Sequence, residues 1–214
     1  MADSFAKKDG AAVVGTLVKV IQENKAYLSE IDGAIGDGDH GINMNKGFTM
    51  FAEQSDISAM DMGSALQTLG TILLTEIGGS MGPIYGTLFR RMAKVIKDKD
   101  TVDAESFEAM LKAAMEGVQS LGEAKKGDKT LMDTLIPAYE GFAAARASGA
   151  DFKGCLDAME KDAKAGWEST KDLQARIGRA SRLGERSIGV LDAGATSCWL
   201  ILKSFADGIR GLLQ

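Results

Sequence analysis

The chain has 214 residues, a formal net charge of −5, 45% hydrophobic and 26% charged residues. That length can bury a sizeable core, the balance is that of an ordinary globular protein, and the acidic excess argues against a general role on nucleic acid or an anionic membrane surface. Two prolines in the whole chain, abundant alanine, leucine and methionine, and few β-branched or aromatic residues favour long helices.

From the N-terminus, Met1–Gly10 carries Asp3, Lys7, Lys8 and Asp9 and no apolar run, so no secretory leader is expected there. No segment approaches the roughly 18 apolar residues of a membrane span. Helical spacing then recurs. Val13, Leu17, Val20, Ile21 and Leu28 fall on one face, followed by Leu66, Leu69, Leu73 and Ile77. Phe107, Met110, Leu111, Ala114 and Val118 form the next stripe, then Leu131, Leu135, Tyr139 and Phe142. Phe152, Leu156, Met159, Ala163 and Trp167 follow, and Leu200, Ile201, Phe205, Ile209 and Leu212 close the series. With the shorter segments 41–55 and 82–97, the pattern predicts about eight helices packed around one core, in one domain spanning 1–214. Cys155 and Cys198 lack metal-ligand spacing and are expected to be free thiols of a reducing, cytoplasmic compartment.

The connections are richer in chemistry than the helices. In Asp32-Gly-Ala-Ile-Gly-Asp-Gly-Asp-His-Gly41, three carboxylates (Asp32, Asp37, Asp39) are gathered by glycines that let the backbone curl. Such a trio repels itself unless a cation sits between the side chains, and magnesium is the hard cation that pairs with a phosphorylated ligand. The bland alternative is that Asp39 only caps the following helix. A calcium EF-hand does not fit: counted from Asp37, the required glycine is Ile42 and the required glutamate is Phe48. His40, the chain's one histidine, and Asn43 are each either ligand contacts or ordinary helix-start residues. Gly78-Gly-Ser80-Met-Gly82-Pro83 could offer backbone N–H groups to a phosphate at a helix start, or be a plain turn. Arg176, Arg179, Arg182 and Arg186 are either phosphate-neutralising side chains or a solvated loop.

Taken together, Ile35-Gly-Asp-Gly-Asp-His-Gly-Ile-Asn-Met44, Gly127-Asp-Lys-Thr130, Gly178-Arg-Ala180, Leu183-Gly-Glu-Arg-Ser-Ile-Gly189 and Asp192-Ala-Gly-Ala-Thr-Ser197 closely resemble the L-type subunit of bacterial dihydroxyacetone kinases, in order along nearly the whole chain. The resemblance implies an all-α, antiparallel eight-helix barrel with a nucleotide site at one end. It implies ADP or ATP bound with two magnesium ions on Asp32, Asp37 and Asp39. It places His40, Gly41, Ile42 and Asn43 along the nucleotide, Ser80 and Met81 at the phosphates, and Gly122, Thr130 and Leu131 on the adenine side. Arg179 and the turn Asp192, Ala193, Gly194 would close the pocket, with Arg179 and His40 as the catalytic side chains. The family commonly has serine where this chain has Met81; here the hydroxyl sits one residue earlier, on Ser80. Implied partners are a dihydroxyacetone-binding subunit and a phosphohistidine subunit of the phosphoenolpyruvate-dependent phosphotransferase system. A homodimer is left open, and neither nucleic acid nor membrane is expected. The chain's end at Gln214, with no substrate domain attached, suits a separate-subunit system. Three alternatives stand: a plain ATP-dependent kinase for dihydroxyacetone or a related ketose, the nucleotide domain of a fatty-acid-kinase-like protein, and a non-enzymatic helical interaction module.

Overall fold

Nearly every apolar stripe becomes the inward face of a helix. A computed structural model describes residues 3–213, and among these are nine α-helices. They are α1 (Ala11–Glu23), α2 (Lys25–Ile35), α3 (His40–Gln54), α4 (Met62–Glu76), α5 (Met81–Val95), α6 (Ala104–Gln119), α7 (Met132–Ala147), α8 (Phe152–Ser169) and α9 (Ala193–Leu212). Short 3₁₀ turns occupy Lys7–Gly10, Ile57–Ala59 and Arg179–Ser187.

The stripe from Val13 to Leu28, expected as one helix, is broken at Asn24. There the backbone turns to φ −96°, ψ 11°, and the Asn24 side chain donates to the Val20 carbonyl at 2.8 Å. An asparagine amide competing for a helical carbonyl is a known cause of such breaks. The chain continues at once, with Leu28 N bonded to Asn24 O at 2.9 Å. Taken as one broken stave, α1–α2 joins α3 to α9 in the expected eight-membered ring. Consecutive helices from α2 onward pack against each other, and α9 returns against α1 and α2 to close it. A two-stranded pairing, β1 (Ser4–Ala6) antiparallel to β2 (Thr101–Asp103), was not expected.

Helix starts are set by aspartates. Asp61, Asp103, Asp151 and Asp192 accept the backbone N–H of Ser64, Ser106, Gly154 and Ala195 at 2.7–2.8 Å. Each such cap is worth about 1 kcal/mol. One continuous buried cluster draws on all nine helices. Phe107 lies at its centre, 5.5 Å from Phe142, 5.9 Å from Phe152 and 6.0 Å from Phe205 between ring centroids. Trp167 and Trp199 stack at 5.7 Å where α8 meets α9. Cys155 and Cys198 are buried and unbonded. No helix among the described residues is long and apolar enough to cross a membrane.

In an antiparallel ring, every second connection lies at the same end. The α2–α3, α4–α5, α6–α7 and α8–α9 connections therefore meet, and these are the segments rich in glycine and charge. The α2–α3 pair is held close by Gly41: a β-carbon there would lie 2.1 Å from the Lys25 carbonyl and 2.7 Å from the Ser29 amide. Backbone cannot yield to that contact, so Gly41→Ala is expected to destabilise the fold by about 1–3 kcal/mol. A denaturant midpoint equal to that of the parent would contradict this packing.

Candidate functional site

Asp32 lies in the last turn of α2, where Gly36 N closes the helix on the Asp32 carbonyl at 2.5 Å. Gly38 then takes φ +76°, a left-handed turn that carries the chain back into α3. The result is convergence: one carboxylate oxygen each from Asp32, Asp37 and Asp39 lie within 4.8 Å of one another. At that spacing each pair of unit charges repels by about 1 kcal/mol in bulk water and by several times that at a protein surface.

Asp39 occupies the N-cap position of α3, yet its side chain makes no capping hydrogen bond, unlike the four aspartate caps above. The capping alternative is thereby removed, and its carboxylate remains directed to the cluster. The counter-charges are few. Asp32 Oδ2 accepts His40 N at 3.2 Å, and Asp37 pairs with Arg179, whose side chain is 67% exposed. One guanidinium against three carboxylates leaves a net negative pocket of hard oxygen donors, the donor set that suits a divalent cation such as magnesium.

His40 faces inward. It is 8% exposed, and Nε2 lies 2.8 Å from Ser197 Oγ. Ser197 Oγ lies 2.5 Å from Tyr85 Oη, which also donates to the Gly194 carbonyl at 3.1 Å. This chain ties α3, α5 and α9 together beneath the acidic loop. Burial holds the Tyr85 phenol well above its ordinary value, so it remains a donor. Burial also lowers His40 to about pKa 4, against the pull of Asp32. A neutral imidazole with one nitrogen committed to Ser197 braces the loop. That geometry supports positioning and not the catalytic part expected of His40.

The four connections enclose a cavity of about 750 Å³. Its lining brings together Asp32, Asp37, Asp39, His40, Asn43, Ser80, Met81, Gly122, Thr130, Leu131, Arg179, Asp192, Ala193 and Gly194. Gly41 and Ile42, expected along the nucleotide, do not line it: Gly41 is buried against α2 and Ile42 is 54% exposed. Ser80 is exposed, makes no side-chain cap to α5, and lines the cavity together with Met81, the first residue of that helix. Arg176, Arg182 and Arg186 are not among the lining residues. A second cavity of about 780 Å³ lies along α4 and α5, lined by Lys7, Arg90, Arg91 and Lys94 among others and by none of the three clustered aspartates.

Two contributors were missed in the sequence. Asp133 Oδ1 and Oδ2 accept Gly127 N at 2.5 Å and Thr130 N at 2.8 Å, which shapes the 127–130 turn. The signal was present: Thr130-Leu-Met-Asp133 has capping-box spacing. Lys129, in that turn, is buried and lines the cavity; nothing in its residue type announces this.

Asp192 is half-exposed as a residue, but its carboxyl turns inward onto Ala195 N, and burial raises it to about pKa 7 against that N–H and Lys129. His40 and Asp192 then act oppositely on stability. Between about pH 4 and 6.5 the unfolded chain takes up a proton that folded His40 refuses, so stability falls on acidification. Between about pH 4 and 7 the fold keeps a proton on Asp192 that the unfolded chain releases, so stability falls as pH rises. Asp192→Asn removes the second effect and keeps a capping acceptor. The metal-free variant should therefore gain stability from pH 4 to 6.5 more steeply than the parent in denaturant titrations; equal slopes would contradict a protonated Asp192.

The chain is similar to known proteins in sequence and in fold. A family model described as the DAK2 domain matches residues 34–207. The chain is 37% identical to the ADP-binding subunit DhaL of the phosphoenolpyruvate-dependent dihydroxyacetone kinase of Escherichia coli K12, over 87% of this chain and 90% of that one. It is 38% identical to the corresponding subunit of dihydroxyacetone kinase 1 of Listeria innocua, over 86% and 87%. Its fold matches the crystal structure of the C. freundii dihydroxyacetone kinase in complex with AMP-PNP and Mg2+, with TM-score 0.65 and 21% identity, covering 92% of this chain and 33% of that larger one. The chain belongs to the DAK2 domain family, the family of the dihydroxyacetone-kinase ADP-binding subunits.

Proposed function

We propose that this chain is the nucleotide-holding subunit of a phosphoenolpyruvate-dependent dihydroxyacetone kinase. It keeps ADP or ATP in the cavity with two magnesium ions on Asp32, Asp37 and Asp39. The γ-phosphoryl group passes to dihydroxyacetone held on a partner subunit, and the retained ADP is recharged by a phosphohistidine subunit. The observation that carries this function is the meeting of three carboxylates and one arginine at a cavity large enough for a nucleotide. The names of the DhaL relatives, and the AMP-PNP and Mg2+ of the C. freundii kinase, point the same way.

Bound magnesium would neutralise phosphate charge, the main requirement of phosphoryl transfer. The protein's own part is positioning. The α5 N-terminus at Ser80 and Met81 offers unpaired N–H groups and the positive end of a helix dipole to the phosphates. Gly122, Thr130 and Leu131, from the α6–α7 connection, line the part of the cavity assigned here to the base. Arg179, exposed at the cavity edge, can leave Asp37 for the transferring group once a cation satisfies that carboxylate. His40 is committed to Ser197, so the lining offers no free histidine as a general base. That suits a subunit whose acceptor is activated elsewhere. Exposed Leu121 and Ile177, in the cavity lining, give a partner subunit an apolar rim to dock on. A cytoplasmic location fits such a subunit.

Asp37→Asn is expected to abolish magnesium-dependent ADP binding in calorimetric titration while leaving the helical circular-dichroism signal unchanged; unaltered affinity would remove Asp37 from the metal site. Reconstitution with candidate partner subunits decides the donor. Turnover driven by phosphoenolpyruvate and the phosphohistidine subunit supports the proposal, whereas turnover with free ATP alone supports a plain ATP-dependent ketose kinase.

A further inference from the structure

The segment 171–189, between α8 and α9, carries Arg179 over the acidic loop, and its two ends lie side by side. Gly189 N donates to the Lys171 carbonyl at 2.7 Å across its neck. Inside the excursion, Ala175 N donates to Ser187 Oγ at 2.9 Å, and Ser187 Oγ donates to the Gly184 carbonyl at 2.6 Å. The loop is therefore braced within itself, with Ser187 fully buried. Its placement relative to the barrel is a separate matter. Besides the Arg179–Asp37 pair, Arg176 N reaches the Asp128 carbonyl at 3.1 Å, and the next residue, Lys129, does the rest.

Lys129 is 1% exposed. Its ammonium donates to the carbonyl of Thr170, at the end of α8, and to the carbonyl of Val190. Those two residues immediately precede and follow the arginine-bearing excursion. The cation thus closes the neck from below, at a helix C-terminus where positive charge is favourable. Asp192 and Asp133 lie close enough to favour its charge, although burial pulls its pKa below the ordinary lysine value. The backbone at Lys129 is left-handed, φ +62°, the one such non-glycine position among the described residues. A buried ammonium and a strained backbone are costly for simple packing, which an apolar residue would achieve more cheaply. What the lysine supplies and an apolar side chain cannot is a pair of directed bonds to both ends of one loop.

We propose that Lys129 is a positioning residue for phosphoryl transfer: its ammonium clasps the neck of the 171–189 loop and so sets Arg179 over the acidic cluster. The inference rests on the part given above to Arg179. Displacing a phosphate-facing group by an ångström can cost a hundredfold in rate. Lys129→Met, which keeps the stem and removes the bonds, is therefore expected to slow turnover of the reconstituted kinase by roughly tenfold to a hundredfold. It should also speed tryptic cutting after Arg176, Arg179, Arg182 and Arg186, with helical circular dichroism unchanged.

The deciding comparison is a cycle with Arg179→Ala. If the clasp acts through Arg179, Lys129→Met adds little to the defect of Arg179→Ala, whereas a general fault of folding or binding multiplies it. Normal turnover of Arg179→Ala alone would overturn the part given to Arg179 and the clasp with it. A slow Arg179→Ala variant that Lys129→Met slows again by its full factor would overturn the clasp and leave Arg179 in place. Should Lys129→Met not fold, Lys129→Gln, which keeps a donor to one carbonyl, carries the same cycle.

Discussion

Three carboxylates confined to one short turn must be stabilised from outside themselves, and much of this end of the molecule can be understood as the means of doing so. The α2–α3 turn brings an oxygen from each of Asp32, Asp37 and Asp39 within 4.8 Å. Asp39 gives up the capping bond that aspartates make at four other helix starts. Arg179 supplies one positive charge from across the cavity, on a loop closed at its neck by a buried lysine. The remaining negative charge is what divalent metal would balance, with a diphosphate completing the metal's shell of oxygen ligands.

The barrel makes that arrangement durable. Its staves alternate in direction, so four connections meet at one end and share a cavity that no single helix could form. Beneath them, His40, Ser197 and Tyr85 form a hydrogen-bonded strut linking α3, α9 and α5. Function on loops and rigidity in the scaffold is a common division of labour. Here the strut extends it by fixing the first residue of α3, next to Asp39, to the floor of the barrel.

The helical stripes and the glycine-acid loops were legible because both are local patterns. Burial follows the 3.6-residue period, and glycine beside aspartate marks a turn that needs unusual backbone. Of the residues that the family resemblance implied for the site, all but Gly41 and Ile42 line the cavity. What escaped the sequence depends on tertiary context. Asn24 sits inside an uninterrupted apolar stripe, and only the carbonyl it captures reveals the break. β1 and β2 are three residues each and lie far apart in the chain, too short to show alternation. Lys129 belongs to a residue type that is almost always exposed, so its burial between two loop ends could not be anticipated. Gly41 and Ile42 fell within a ligand motif, but one turn of helix sends them away from the cavity. His40 looked reactive by its neighbours, and its ring turned out to be held by Ser197.

The most direct test of the central claim is anomalous diffraction from crystals grown with ADP and manganese in place of magnesium. The account predicts manganese peaks among the carboxylates of Asp32, Asp37 and Asp39, bridged to the diphosphate of a nucleotide in the same cavity. Manganese bound elsewhere, or ADP bound with those three side chains turned apart into solvent, would contradict it.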